Sequence, residues 1–341
     1  MVFQTFLQKV EKREFPLTWP GHRIGRQWVT AQKTKESKSS MSPNYGYELV
    51  SYPIDREALT KAIEVAFGAR KKLASLNLPD RLELLRQFRQ VLADYQKPLI
   101  EACRIEAGKP LWEAQSDAAG AITYLDNILE HADSMKDSLL APAQLGNAIG
   151  HYYLQPMGVT VAYLPFSTPI SSFVCYLGAA IFTGCPLIVV PSSHACLTAI
   201  LYGFLEEHIE FPAGSLNIVF GNFDVFKQSL ADKRVRAIIF TGSREHCEVI
   251  RRESRNVMGR ELILQSGGKN ATIVHSSADL KVATKCVLLG ALKSAGQLCT
   301  STSRVFIYET LRKEFLEMLT AAMGSTEIGP TDRSPDPILG P

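Results

Sequence analysis

Of the seven cysteines in this 341-residue chain, one is set apart by its neighbours. Cys299 follows Gly296 and Gln297 and precedes Thr300, Ser301 and Ser303, so its thiol belongs to a flexible turn rich in hydroxyl groups. Cysteines that only fill space prefer apolar surroundings, whereas a reactive thiolate needs access and polar company. These residues alone leave two readings open, a nucleophile or an inert buried thiol. Upstream lies the segment Gln265-Ser266-Gly267-Gly268-Lys269-Asn270, with Gln265 34 residues before the cysteine. A third short motif, Phe240-Thr241-Gly242-Ser243, closes an apolar run and opens a helical one. A helix start of this kind offers free N–H groups to phosphates.

The elements that would position these residues have their own signature. From Gly158 onward, short β-branched runs at 159–164, 187–190, 216–220 and 237–240 alternate with helical segments. Such alternation predicts an α/β fold with a doubly wound parallel sheet, which binds ligands beyond the carboxyl ends of its strands. Ahead of it, apolar stripes predict one helix after Asp55, a second from Pro79, and a third over 109–131. The first 51 residues show a weak strand signal at Trp28 and Val29, a Lys/Ser-rich loop over 33–40 and a turn at 43–46, and residues 137–156 read as strand-like. The uncharged stretch 170–190 is long enough to cross a bilayer. Pro169, Gly178, Gly184 and Pro186 instead divide it into a short helix and a buried strand.

Composition narrows the partners. A formal charge of +3 with no dense Lys/Arg block implies neither a nucleic acid nor an anionic membrane, and points to a small molecule. The cysteines form no CxxC pair and accompany no histidine cluster, against both a disulfide framework and a zinc site. The N-terminal residues break into charge before a signal-peptide core could form, so a cytoplasmic location is expected.

Taken together, FTGS (240–243), GGKN (267–270) and AGQLCT (295–300) resemble the aldehyde dehydrogenase superfamily, with the likeness running from Gly25 to Pro341. Within it, RIEAGKPLWEA (104–114) and FPAGSLNIVFG (211–221) are most similar to succinylglutamate semialdehyde dehydrogenases. The resemblance implies a dinucleotide-binding-type domain over residues 1–264, with an oligomerisation arm at 137–156, and an incomplete α/β catalytic domain over 265–341. The chain stops where such enzymes run on, so a C-terminal truncation is expected, with a homo-oligomer or a partner chain supplying what is absent. The implied chemistry is NAD(P)-dependent oxidation of an aldehyde, with a dicarboxylic semialdehyde as the substrate guess. Cys299 would attack to give a thiohemiacetal, hydride would leave to the nicotinamide, and water would release the acid.

Several positions depart from that pattern. Ser167, in Pro165-Phe166-Ser167-Thr168-Pro169, stands where the family has an oxyanion-binding asparagine, and one lost donor of this kind costs ~10²–10³ in rate. Gln265 stands at the general-base glutamate, whose loss costs ~10²–10⁴. The expected cofactor residues are Phe240, Gly242 and Ser243, together with Val190 and Ser193, which replace a lysine and a glutamate that would grip the adenosine ribose. Cys247 replaces a second glycine. Weak binding of NAD or NADP is therefore expected. Two alternatives stand beside the dehydrogenase: a catalytically silent binding or scaffolding paralogue or gene remnant, and an acylating enzyme that uses coenzyme A.

Overall fold

The computed structural model describes residues 3–31, 36–139, 143–146, 148–150, 154–331 and 337–341. Helix α1 (Phe3–Lys12) is followed by strands β1 (His22–Ile24) and β2 (Gln27–Val29) and by the hairpin β3 (Ser37–Met41) and β4 (Glu48–Pro53). Then come α2 (Arg56–Ala74), α3 (Leu78–Asp94), α4 (Gln96–Ala107), α5 (Leu111–Leu139) and a second hairpin, β5 (Ala143–Leu145) and β6 (Ala148–Gly150). Alternation begins with β7 (Val159–Leu164), α6 (Pro169–Thr183), β8 (Leu187–Pro191), α7 (Cys196–Leu205) and β9 (Leu216–Ile218). It continues through α8 (Phe223–Gln228), β10 (Val235–Gly242), α9 (Arg244–Glu253) and β11 (Glu261–Ser266). Beyond lie β12 (Asn270–Val274), α10 (Leu280–Leu292), β13 (Thr302–Ile307) and α11 (Arg312–Gly324).

The main sheet has seven strands in the order β11-β10-β7-β8-β9-β1-β2, parallel from β11 to β9 and closed by the antiparallel β1–β2 pair. The chain leaves β7 toward β8 and β9 on one side and later returns to its other side with β10 and β11. The order therefore reverses between β7 and β10, and a crevice opens at their carboxyl ends. Every residue of β8 is buried, as expected of a strand covered on both faces. One large core joins this sheet to α1–α7, whereas β12, β13, α10 and α11 share a small separate core built on Val274, Val287 and Phe315.

Two buried carboxylates fix the helices that flank the crevice. Asp117 accepts the N–H groups of Ile170 (3.1 Å) and Ser171 (3.2 Å) at the start of α6. Glu106 accepts those of Leu197 (2.6 Å) and Thr198 (2.9 Å) at the start of α7, along with the Thr198 hydroxyl. Neither helix has a side-chain cap of its own, so distant carboxylates satisfy its first N–H groups.

The sheet and its alternation follow the sequence pattern, and several local expectations are corrected. Helix α1 was not expected, and its Phe6 and Val10 are buried. Part of the loop expected at 33–40 is strand β3, which pairs with β4, while residues 32–35 lie outside the described residues. The third helix, expected over 109–131, is α5, which runs on to Leu139; α4, which ends at Gly108 in the left-handed region, was not expected. The strand-like stretch 137–156 is therefore helical at its start and holds the antiparallel β5–β6 hairpin, with 140–142, 147 and 151–153 outside the described residues. The uncharged stretch 170–190 is α6 followed by β8, and among the described residues no helix is long and apolar enough to cross a membrane.

Candidate active site

A cavity of about 490 Å³ opens at the reversal of strand order. Its floor comes from the turn after β7, where Ser167 lies just ahead of α6, and from the end of β10, Phe240 to Gly242, running into Ser243. Its rim comes from Gln265 on edge strand β11, Gly267, and the turn from Gln297 to Thr300. The sequence-predicted Cys299, Gln265, Ser167, Phe240, Gly242 and Ser243 thus share one cavity. Gly242 is needed for its closeness to Phe240, since a Cβ there would lie 2.6 Å from the ring.

Cys299 is exposed, not the buried thiol of the second reading. Its turn is pinned by Asn270, whose Nδ2 donates to Cys299 O at 2.6 Å and to Ser301 O at 3.3 Å. Ser301 closes the turn, donating its N–H to Leu298 O at 3.0 Å and accepting the Leu298 N–H at its hydroxyl, 3.2 Å away. The asparagine of GGKN and the hydroxyls around the cysteine thus shape the loop that carries the thiol. Elsewhere burial works against reactivity: it pushes the thiols of Cys103 and Cys196 up, and that of Cys175 up to about 11. Ser167 is half-buried and Gln265 exposed. Both can donate hydrogen bonds, and neither can take a proton from water near neutral pH.

Two expected cofactor residues lie outside this cavity. Val190 is fully buried inside β8, its side chain in the core. Ser193 is displaced because Ser192 donates its N–H to Leu164 O at 3.0 Å, folding the chain over the end of β7 so that Ser192 lines the cavity instead. Cys247 does not crowd the cavity either; it is buried beneath α9. Reading the sequence missed His246, which lines the cavity and stacks on Phe223 with ring centroids 3.8 Å apart. It also missed Tyr176, whose hydroxyl lies 3.0 Å from that of Thr241. His246 lies one turn beyond the 240–243 motif and Tyr176 two turns beyond Pro169, and neither belongs to a motif that singles it out.

The fold is thus a doubly wound sheet with an accessible thiol at its switch point. Residues 28–341 match the family model described as the aldehyde dehydrogenase family, and the chain belongs to that family. It is 30% identical over 307 residues to malonate-semialdehyde dehydrogenase 2 of Oceanobacillus iheyensis, covering 90% of this chain and 63% of the relative. It is 27% identical over 308 residues to the mitochondrial succinate-semialdehyde dehydrogenase of Arabidopsis thaliana, covering 90% of this chain and 58% of that one. A solved E. coli NADP-dependent enzyme superposes with a TM-score of 0.86 at 26% identity, over 94% of this chain and 66% of its own. The chain spans about three fifths of the length of the two sequence relatives.

The family generally uses NAD or NADP, and the residues present do not fit such a dinucleotide. Among the described residues, no lysine, arginine, aspartate or glutamate lines the cavity. Ribose hydroxyls therefore meet no carboxylate, and the pyrophosphate no cation. The start of α9 is also taken. Ser243 Oγ accepts the His246 N–H at 3.2 Å, and the Glu245 carboxylate folds back onto its own N–H and the Ser243 hydroxyl, which hold its pKa below the usual range. A phosphate arriving there would meet a negative charge in place of free donors.

Proposed function

We propose that this chain captures a small aldehyde at Cys299 as a thiohemiacetal, and that onward oxidation is slow or silent. In that step the sulfur bonds to the carbonyl carbon, the C=O π bond becomes a hydroxyl, and the thiol proton ends on oxygen. The step needs no oxidant. The observation that carries the reading is that Cys299, Ser167 and Gln265 line one cavity to which the described residues contribute no carboxylate. The Ser167 hydroxyl and the Gln265 amide can each donate to the aldehyde oxygen. With Gln265 where a base would stand, hydrolysis of a thioester lacks its proton acceptor. Dehydrogenase activity of the ordinary family kind is the wider reading, with turnover far below the usual ~1–10³ s⁻¹.

The dicarboxylic semialdehyde expected from sequence has support in the names of the sequence relatives, which concern malonate and succinate semialdehydes. Its far carboxylate would need a cation, and the described residues that line the cavity supply none. Neutral aldehydes are therefore the better ligands. Competition mapping tests this: a neutral aldehyde should slow alkylation of Cys299 by iodoacetamide while leaving the other exposed cysteine, Cys286, unaffected. Equal alkylation at Cys299 with and without aldehyde refutes the capture. Transfer of an acyl group to coenzyme A would replace it with the acylating reading.

A further inference from the structure

The turn that presents Cys299 begins with a backbone that side chains disfavour. Ser294 (φ 52°, ψ 37°) and Ala295 (φ 53°, ψ 34°) both lie in the left-handed region, and Gly296 follows at φ 72°. Glycine adopts this conformation freely, whereas for other residues its population falls roughly 5–30-fold each. Something must hold Ser294 and Ala295 there.

The holding contacts come from the junction of α4 and α5, 181 residues earlier in the chain. The Ser294 N–H donates to Glu113 Oε2 at 3.0 Å, and its hydroxyl donates to Glu113 Oε1. Lys109 Nζ donates to the same hydroxyl at 3.1 Å and to Glu113 Oε1 at 2.8 Å. Both charged side chains are almost wholly buried. A buried ion pair is a costly way to fill space, and this one directs two contacts of the carboxylate and one of the ammonium at a single residue of the turn. Downstream, the Gln297 N–H donates to Ser294 O at 3.0 Å, and Gln297 is the first residue of the turn to line the cavity.

We propose that Glu113 and Lys109 are positioning residues, which hold Ser294 and Ala295 left-handed and so aim Cys299 into the cavity. Presentation of the thiol by the second, smaller core then depends on an ion pair in the first. The chemical consequence rests on the reading of Cys299 as the aldehyde-binding thiol; the positioning itself does not.

Two measurements on the full chain test it: hydrogen exchange of the peptide 293–300, and the equilibrium constant for aldehyde addition at Cys299. Glu113→Gln should speed exchange in that peptide about tenfold or more, weaken addition by a similar factor, and leave exchange in β7 and β8 unchanged. Adding Ser294→Gly should restore both, because glycine holds the left-handed form without the carboxylate. Should Glu113→Gln fail to fold, Ser294→Ala keeps the buried pair, removes only the hydroxyl contact, and should give the same local loosening. Unchanged exchange in both single variants overturns the proposal, as does loosening spread evenly through the chain with no rescue by glycine. If the unaltered chain adds no aldehyde, the capture reading falls, and the exchange comparison alone decides the positioning.

Discussion

At the scale of single residues, the chemistry turns on what a carboxamide cannot do. On the proposed reading, an acyl group placed on Cys299 by an activated ester leaves by attack of water, to which Gln265 offers no base. Gln265→Glu should therefore speed release of the acyl group ~10²–10⁴-fold, read as the deacylation phase after a burst of ester cleavage, with no dinucleotide needed. A deacylation rate unchanged by the substitution would mean that position 265 does not contact the attacking water. That Cys299, Gln265 and Ser167 share one cavity was legible in the sequence because each sits in a short motif whose spacing the fold preserves. Glu113 and Ser294 were not: Glu113 lies in 104–114, a stretch that carries likeness but no stated chemistry, Ser294 just precedes AGQLCT, and nothing local tells that a helix start reaches a turn 181 residues away. Val190 and Ser193 were misplaced for a smaller reason. A single backbone hydrogen bond at Ser192 decides which residues after β8 face the cavity, and no spacing rule reports it.

At the scale of elements, two helix starts carry charge with opposite consequences. At α9, Glu245 occupies the position an anion would need, so Glu245→Gln should tighten NADP binding measured by calorimetry, and equal affinity in both proteins would show that the helix start is not the obstacle. At α7, Glu106 is fully buried, and burial pushes its carboxyl up to about 7 although the N–H groups of Leu197 and Thr198 oppose the shift. Its folded pKa thus lies above its unfolded one. The folded chain holds the extra proton across the window from the ordinary carboxylate range to about 7, so this contribution to stability is complete below the window and is lost as pH rises through it. Denaturation of Glu106→Gln across pH 4–8 should show a smaller decline than the unaltered chain, and parallel curves would remove Glu106 as the source. The long helices and parallel strands were readable from periodicity. Helices α1 and α4 were not: α1 is short, and α4 lies between the two stripes that predicted α3 and α5.

At the scale of the whole molecule, the unequal division of the core has a visible outcome. On the β12–β13 sheet, Ile273 pairs with Phe306 across the strands, and these two and Tyr308 are 77%, 56% and 51% exposed. An apolar face of this kind recruits other chains. Sedimentation should show self-association that falls when Phe306→Lys and Ile273→Lys are combined; a monomer before and after would show that the face is tolerated by water. The β1–β2 end of the main sheet sets a different constraint, one of timing. Strand β1 pairs with β9 at Arg23 and Ile218, and Arg23 Nε donates to the buried Glu206 at 2.7 Å across 183 residues of sequence. At ~5–20 residues per second, ribosomal synthesis separates those two partners by roughly 10–40 s. Throughout that interval the first strands have no sheet to join, and the Arg23 guanidinium keeps its hydration. The edge of the sheet that is made first is thus finished late, and in chains halted on the ribosome β1 and β2 should resist protease only once β9 has emerged.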